Sequence, residues 1–183
     1  LLNRLRERGF SVLLVDAPGH GTATGKHFTA ILYAGYLEKV CARFQPHALV
    51  GHSAGGMAAF YLLTQLQAPS LRKLAVLGMP AELSSLMETY RDVLGMKPHL
   101  FRSLEREIER KYGRPTSWFS MSTFAERLAV EGLMVHDPQD AIAPWEDILK
   151  VHNAWEGSRL LALEGEGHTL RSERVWDAVM DFL

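Results

Sequence analysis

The run Leu49-Val50-Gly51-His52-Ser53-Ala54-Gly55-Gly56 leads from an apolar, strand-like segment straight into the helix-forming stretch Met57 to Leu66. A chain that turns from strand to helix through Gly-x-Ser-x-Gly, with no loop between, has few folds open to it. The serine must occupy a sharp, strained turn, and the glycines around it let neighbouring backbone pass without Cβ clashes. Such a turn lifts the serine Oγ clear of a sheet. It also sets the residue at a helix N-terminus, where unpaired N–H groups and the positive end of the macrodipole favour a developing negative charge. The segment therefore proposes Ser53 as a nucleophile, Ala54 as the carrier of an oxyanion-binding N–H, and a sheet whose strands are followed by helices.

The remaining pattern has the same character. Residues 10–16 form a nearly continuous apolar run, as expected of a strand buried on both faces of a parallel sheet. Residues 17–26, rich in Gly, Pro and Thr, read as a loop, and a helix is expected over 28–44. Further strands are expected at 47–52, 73–78, 132–136 and 158–163, with helices at 54–67, after Pro144, and at 172–182. This alternation predicts an α/β fold with a doubly wound, mostly parallel sheet. Between Met79 and Glu131 it lapses into three helical stretches, roughly 81–94, 98–112 and 115–130, broken at Gly95, Pro98, Gly113 and Pro115. One domain is expected, with a core of residues 1–79 and 132–183 and a helical insertion of residues 80–131. Residues 1–8 resemble the last turns of an amphipathic helix closed by Gly9, so the chain is expected to begin inside a domain.

Composition narrows the function classes. With 47% hydrophobic residues among 183, the chain has material for one good core. Twenty basic against twenty-one acidic side chains leave a net charge of −1, so no global field attracts nucleic acid or an anionic membrane. The longest apolar stretch, residues 48–66, is interrupted by His52, Ser53 and glycines, which argues against membrane insertion. The single cysteine, Cys41, allows no intrachain disulfide, reads as a buried thiol on a helix, and favours a reducing, cytoplasmic location. The histidines show no metal-ligand spacing. Nor does the segment Pro18-Gly19-His20-Gly21 have the fingerprint of a dinucleotide site, so neither metal nor cofactor is expected.

A serine hydroxyl is a poor nucleophile without a base and an orienting carboxylate. Asp140 and His168 each lie in a loop just beyond an expected strand, where open α/β sheets gather their functional groups. Asp137, nearer the strand end, is the alternative carboxylate and is otherwise expected to stabilise the turn. His20 and His52 are expected to make structural hydrogen bonds. The insertion contributes Met87, Tyr90, Met96, Phe101, Trp118, Phe119, Met121 and Phe124, most of them expected to form its core. A substrate pocket is expected to draw on His52, Met79, Met87, Trp118 and Phe119.

Four segments recur in a familiar order: Asp16-Ala17-Pro18-Gly19-His20-Gly21, Gly51 to Gly55, Asp140-Ala141-Ile142-Ala143-Pro144, and Gly165-Glu166-Gly167-His168. Together they resemble the α/β-hydrolase fold, in its capped serine-hydrolase form, over nearly the whole chain. The resemblance implies Ser53 as nucleophile, His168 as base and then acid, Asp140 as the carboxylate orienting the imidazole, and the insertion as a cap. It implies hydrolysis of a small or medium apolar ester, with no cofactor. It also implies a second oxyanion donor on a loop after an earlier strand, and three strands ahead of residues 1–8. Residues 1–15 offer no such donor, so the chain is expected to be a piece of a longer hydrolase and nearly inactive alone. A non-catalytic module of the same fold, binding an apolar small molecule, is the alternative.

Overall fold

The structure is a computed structural model that describes residues 1–183. After α1 (Leu2–Glu7) come α2 (Ala30–Phe44), β1 (Ala48–His52), α3 (Ala54–Gln65), β2 (Lys73–Leu77), α4 (Leu83–Val93) and α5 (Pro98–Tyr112). A 3-10 turn at Thr116–Trp118 precedes α6 (Met121–Ala125), β3 (Glu131–His136), α7 (Trp145–Ala154), β4 (Ser158–Ala162) and α8 (Glu173–Phe182). The strands form one all-parallel sheet in the order β1-β2-β3-β4. In register, His52 pairs with Leu77, Leu77 with Val135, and Val135 with Leu161. All four strands therefore end along one edge of the sheet.

Alternation along the strands feeds helices on both faces. Leu74 and Val76 pack toward Phe60 of α3, Phe124 of α6, and Ile148 and Val151 of α7. Ala75, Leu77, Leu133 and Val135 pack toward Val175, Val179 and Phe182 of α8. Between them these layers make the doubly wound sheet that the strand–helix alternation implies. Outside α3 lies α2, whose Ala34, Leu37 and Cys41 meet Ala58 and Leu62. On the opposite side α1 is tied to α8 by Arg4, which pairs with Glu173 and Asp177. Side chains cap three helices: Thr29, Ser120 and Ser172 accept from the backbone N–H groups of Leu32, Thr123 and Val175. No helix is long and apolar enough to cross a membrane.

Two expectations are corrected. Residues 10–16 are not a strand: no backbone N–H from residue 11 to 16 donates to another backbone group, and Leu14 is 72% exposed. A cleft lies between this segment and β1, so its backbone finds no ladder partner. Its anchor is the Tyr33 hydroxyl, which donates to the Val15 carbonyl at 2.8 Å. The third helix expected in the insertion, over 115–130, breaks into the 3-10 turn and short α6. Ser120 interrupts it by capping α6 and donating its hydroxyl to Glu82, while Leu83 N–H donates to the Phe119 carbonyl and Met121 N–H to the Ala81 carbonyl. These bonds hold residues 119–121 extended against the start of α4.

Candidate active site

Ser53 links β1 to α3 with φ +50° and ψ −123°, a conformation that side-chain-bearing residues adopt only under constraint. The constraint is visible in the backbone: Ser53 N–H donates to the Leu77 carbonyl at 2.9 Å, and its own carbonyl accepts from Gly56 N–H at 2.9 Å. A Cβ on Gly51 would stand 2.7 Å from the Gly55 carbonyl oxygen, and one on Gly56 would stand 3.1 Å from the Met79 Cβ. Gly55 is less constrained, its nearest neighbour for a Cβ being a Tyr33 ring carbon at 4.0 Å. The close approach at the elbow therefore rests on Gly51 and Gly56.

Asp140 and His168 meet Ser53 at the C-terminal edge of the sheet. Ser53 Oγ donates to His168 Nε2 at 2.9 Å, and His168 Nδ1 donates to Asp140 Oδ2 at 2.8 Å. The Asp140 side chain is wholly buried, and its Oδ1 accepts from the N–H groups of Ile142 at 2.8 Å and Ala143 at 3.1 Å. These contacts offset the cost of burying the carboxylate and fix which nitrogen of His168 carries the proton. The Ala54 N–H, at the first turn of α3, makes no hydrogen bond within the chain.

Asp137 has a different place from Asp140. Its Oδ1 accepts from Gln139 N–H at 2.9 Å and its Oδ2 from Gly167 N–H at 2.6 Å, so it ties the loop after β3 to the loop carrying His168. The Gln139 N–H, and then the Gly167 N–H, hold its carboxyl below the ordinary range. The histidine loop is also pinned by Leu170, fully buried among the residues of α8 although its φ is +46°. Burying a leucine is worth about 2 kcal/mol, comparable to the ~1–2 kcal/mol that a left-handed conformation costs. Gly78 (φ +53°) gives this loop room: a Cβ there would come within 3.1 Å of Leu170 and 3.2 Å of the His168 carbonyl. Sequence reasoning singled out none of Gly78, Leu170 or the tie from Asp137. A glycine closing the apolar run Lys73-Leu74-Ala75-Val76-Leu77 was the signal for the first.

The neighbouring histidines are each bonded to a backbone carbonyl. His52 Nε2 donates to the His168 carbonyl at 2.8 Å, and His20 Nδ1 donates to the Pro18 carbonyl at 3.1 Å. His136, buried beneath Asp140, donates from Nε2 to the Ala143 carbonyl at 2.8 Å. Burial pushes its imidazole below the ordinary pKa of 6.5.

Two cavities meet at the elbow. The larger, about 640 Å³, runs between residues 13–17 and β1 and reaches His52, Ser53 and Ala54. The smaller, about 260 Å³, lies under α4 and α5 and is lined by 13 residues, 12 of them hydrophobic, with Met57 and Phe119 among them. Phe28 and Ala54 border both. Of the residues expected to form a pocket, His52 lines the larger cavity and Phe119 the smaller. Met79, Met87 and Trp118 line neither. Met79 is core against Gly56, Met87 is buried on α4, and Trp118 meets Phe119 and Phe124 in edge-to-face contacts. Met79 and Trp118 pack in or against the core cluster that includes Met57 and Phe60 of α3.

A parallel sheet with helices on both faces and a serine elbow at its C-terminal edge defines an α/β-hydrolase architecture. The Alpha/beta hydrolase family model matches residues 1–182, and the chain belongs to that family. Among solved structures, the chain is similar to a monoacylglycerol lipase of Paleococcus ferrophilus, 18% identical with a TM-score of 0.74 over 98% of this chain and 85% of that one. It is similar also to the esterase EaEST of Exiguobacterium antarcticum, 19% identical with a TM-score of 0.69 over 97% and 82% of the two chains. A bromoperoxidase of Bacillus anthracis, 18% identical, gives a TM-score of 0.66 over 91% and 79%. At these identities the likeness establishes the fold. No curated protein sequence matches the chain closely enough to count as a relative.

Proposed function

We propose that this chain carries the catalytic residues of a serine esterase that cleaves small or medium apolar esters through an acyl-enzyme. The observation that carries the proposal is the unbroken hydrogen-bonded chain Ser53–His168–Asp140, at 2.9 and 2.8 Å, beside an apolar cavity that begins at Ala54. In the reaction, Ser53 Oγ bonds to the acyl carbon as its proton passes to His168 Nε2, and the carbonyl electron pair moves onto oxygen. The unpaired Ala54 N–H, aided by the α3 dipole, stabilises that oxyanion. A donor of this kind is worth roughly 2.7–4 kcal/mol of barrier. The intermediate collapses, and the leaving alkoxide takes the proton from His168. Water, deprotonated by the same imidazole, then releases the acid and restores Ser53. Asp140 holds the imidazole in the tautomer that both steps need.

The segment of residues 80–131 acts as a cap, supplying the roof of the apolar cavity. Names among the similar structures, an esterase and a monoacylglycerol lipase, support ester chemistry over other reactions of the fold. The test is labelling by a fluorophosphonate, with Ser53→Ala and His168→Ala as controls. Labelling that depends on both residues is expected. Failure of the intact protein to label would favour a non-catalytic module that binds an apolar ligand.

A further inference from the structure

Only two hydrogen bonds join the serine elbow to the loop that carries His168. One runs from Ser53 Oγ to His168 Nε2 at 2.9 Å, and the other, at 2.8 Å, from His52 Nε2 to the His168 backbone carbonyl. A carbonyl only accepts, so His52 supplies the hydrogen of the second bond. His52 ends β1 and immediately precedes the nucleophile, and its ring centroid stands 5.4 Å from that of His168. The other holds on the histidine loop lead away from the elbow. Asp137 accepts from Gly167 N–H and Asp140 from His168 Nδ1, both carboxylates belonging to the loop after β3, while Leu170 is buried among residues of α8.

The Ser53 bond cannot last through the reaction. Once Ser53 is acylated, its Oγ is an ester oxygen with no hydrogen to give, and the His52 bond is the one left between the elbow and the loop of the base. We infer that His52 is a positioning residue for the second half of the reaction: through the His168 carbonyl it keeps the imidazole beside the acyl-enzyme while water is activated. This rests on the esterase reading. In that half, a water proton passes to His168 Nε2 as the water oxygen bonds to the acyl carbon, and the proton returns to Ser53 Oγ as the acid leaves. Nε2 must then stand off from the acyl carbon by the width of one water, and a misplacement of about 1 Å in such an arrangement can cost ~10²-fold in rate. The first half depends less on His52, because the Ser53 bond itself then holds the ring at the elbow.

A carbamoylating ester reads the two halves one at a time. Release of nitrophenol from p-nitrophenyl dimethylcarbamate reports attack by Ser53, and recovery of fluorophosphonate labelling after the excess reagent is removed reports hydrolysis of the carbamoyl-enzyme. His52 is exposed, so replacing it disturbs no core packing. In His52→Ala, recovery should slow about tenfold, the factor that one lost hydrogen bond carries, while nitrophenol release changes by less than about threefold. His52→Gln, whose amide can donate to the same carbonyl, should recover nearly as fast as the parent. His52→Phe, which keeps a ring and lacks the donor, should be as slow as His52→Ala. Equal slowing of both halves, an unmoved recovery in His52→Ala, or His52→Phe recovering as fast as His52→Gln overturns the inference and leaves the esterase reading standing. A parent protein that releases no more nitrophenol than Ser53→Ala sinks the esterase reading, and the inference falls with it.

Discussion

Two carboxylates three residues apart do different work, and substitution should separate them. Asp140 faces the imidazole, so Asp140→Asn keeps the shape and removes the charge that selects the His168 tautomer. Its kcat should fall by about 10⁴ with little loss of stability. Asp137 faces backbone N–H groups of two loops, so Asp137→Asn should lower the melting temperature while fluorophosphonate labelling of Ser53 persists at a reduced rate. The pH dependence of stability follows from the same region. Because burial depresses His136 below 6.5, the unfolded chain binds its proton first; stability is full above about pH 6.5 and declines as the pH falls below it. A second decline sets in below the ordinary carboxylate value of 3.8, as Asp137 loses the N–H contacts that depress it. Urea midpoints between pH 8 and 5 should show the first decline, and His136→Gln should flatten it; equal slopes would refute the assignment. Of this site, Ser53, Asp140 and His168 were legible in the sequence because each sits at a strand end with turn-forming neighbours. The tie from Asp137 was not, since it spans two loops distant in sequence, joined only by the parallel pairing of β3 with β4.

At the scale of elements, the strand-to-helix turn makes a prediction that distinguishes its glycines. Gly51→Ala drives a Cβ into the Gly55 carbonyl and should cost about 1–3 kcal/mol, with loss of labelling at Ser53. Gly55→Ala meets nothing closer than 4.0 Å and removes a flexible residue from the first turn of α3, so stability should hold or rise by up to about 1 kcal/mol. Thermal melts of the two variants are the measurement. Four strands and most helices could be placed from apolar runs and their punctuation, because those patterns report burial on a sheet. The same rule misplaced residues 10–16, where the hydrophobic run Val12-Leu13-Leu14-Val15 has strand character but no neighbour to pair with. Strand formation needs a partner as well as a propensity. Amide hydrogen exchange should show it, with residues 11–16 exchanging far faster than those of β2. Protection equal to that of β2 would mean that the segment pairs in solution.

For the whole molecule, the sheet ends at β1, whose outer edge carries Val50 at 36% exposure across the cleft from Leu14. Unpaired edges with apolar side chains associate, so the protein should form oligomers as its concentration rises, and Val50→Lys should reduce light scattering. Scattering that is insensitive to this change would place the association elsewhere. The order β1-β2-β3-β4 has a different consequence, for biosynthesis. Each strand is laid beside the one translated just before it, so a nascent chain can extend its sheet in step with the ribosome and never has to open a finished pair. His168, and α8 that covers one face of that sheet, come after all four strands in the chain. Ser53 therefore meets the imidazole to which its hydroxyl donates only once the whole sheet has been laid down.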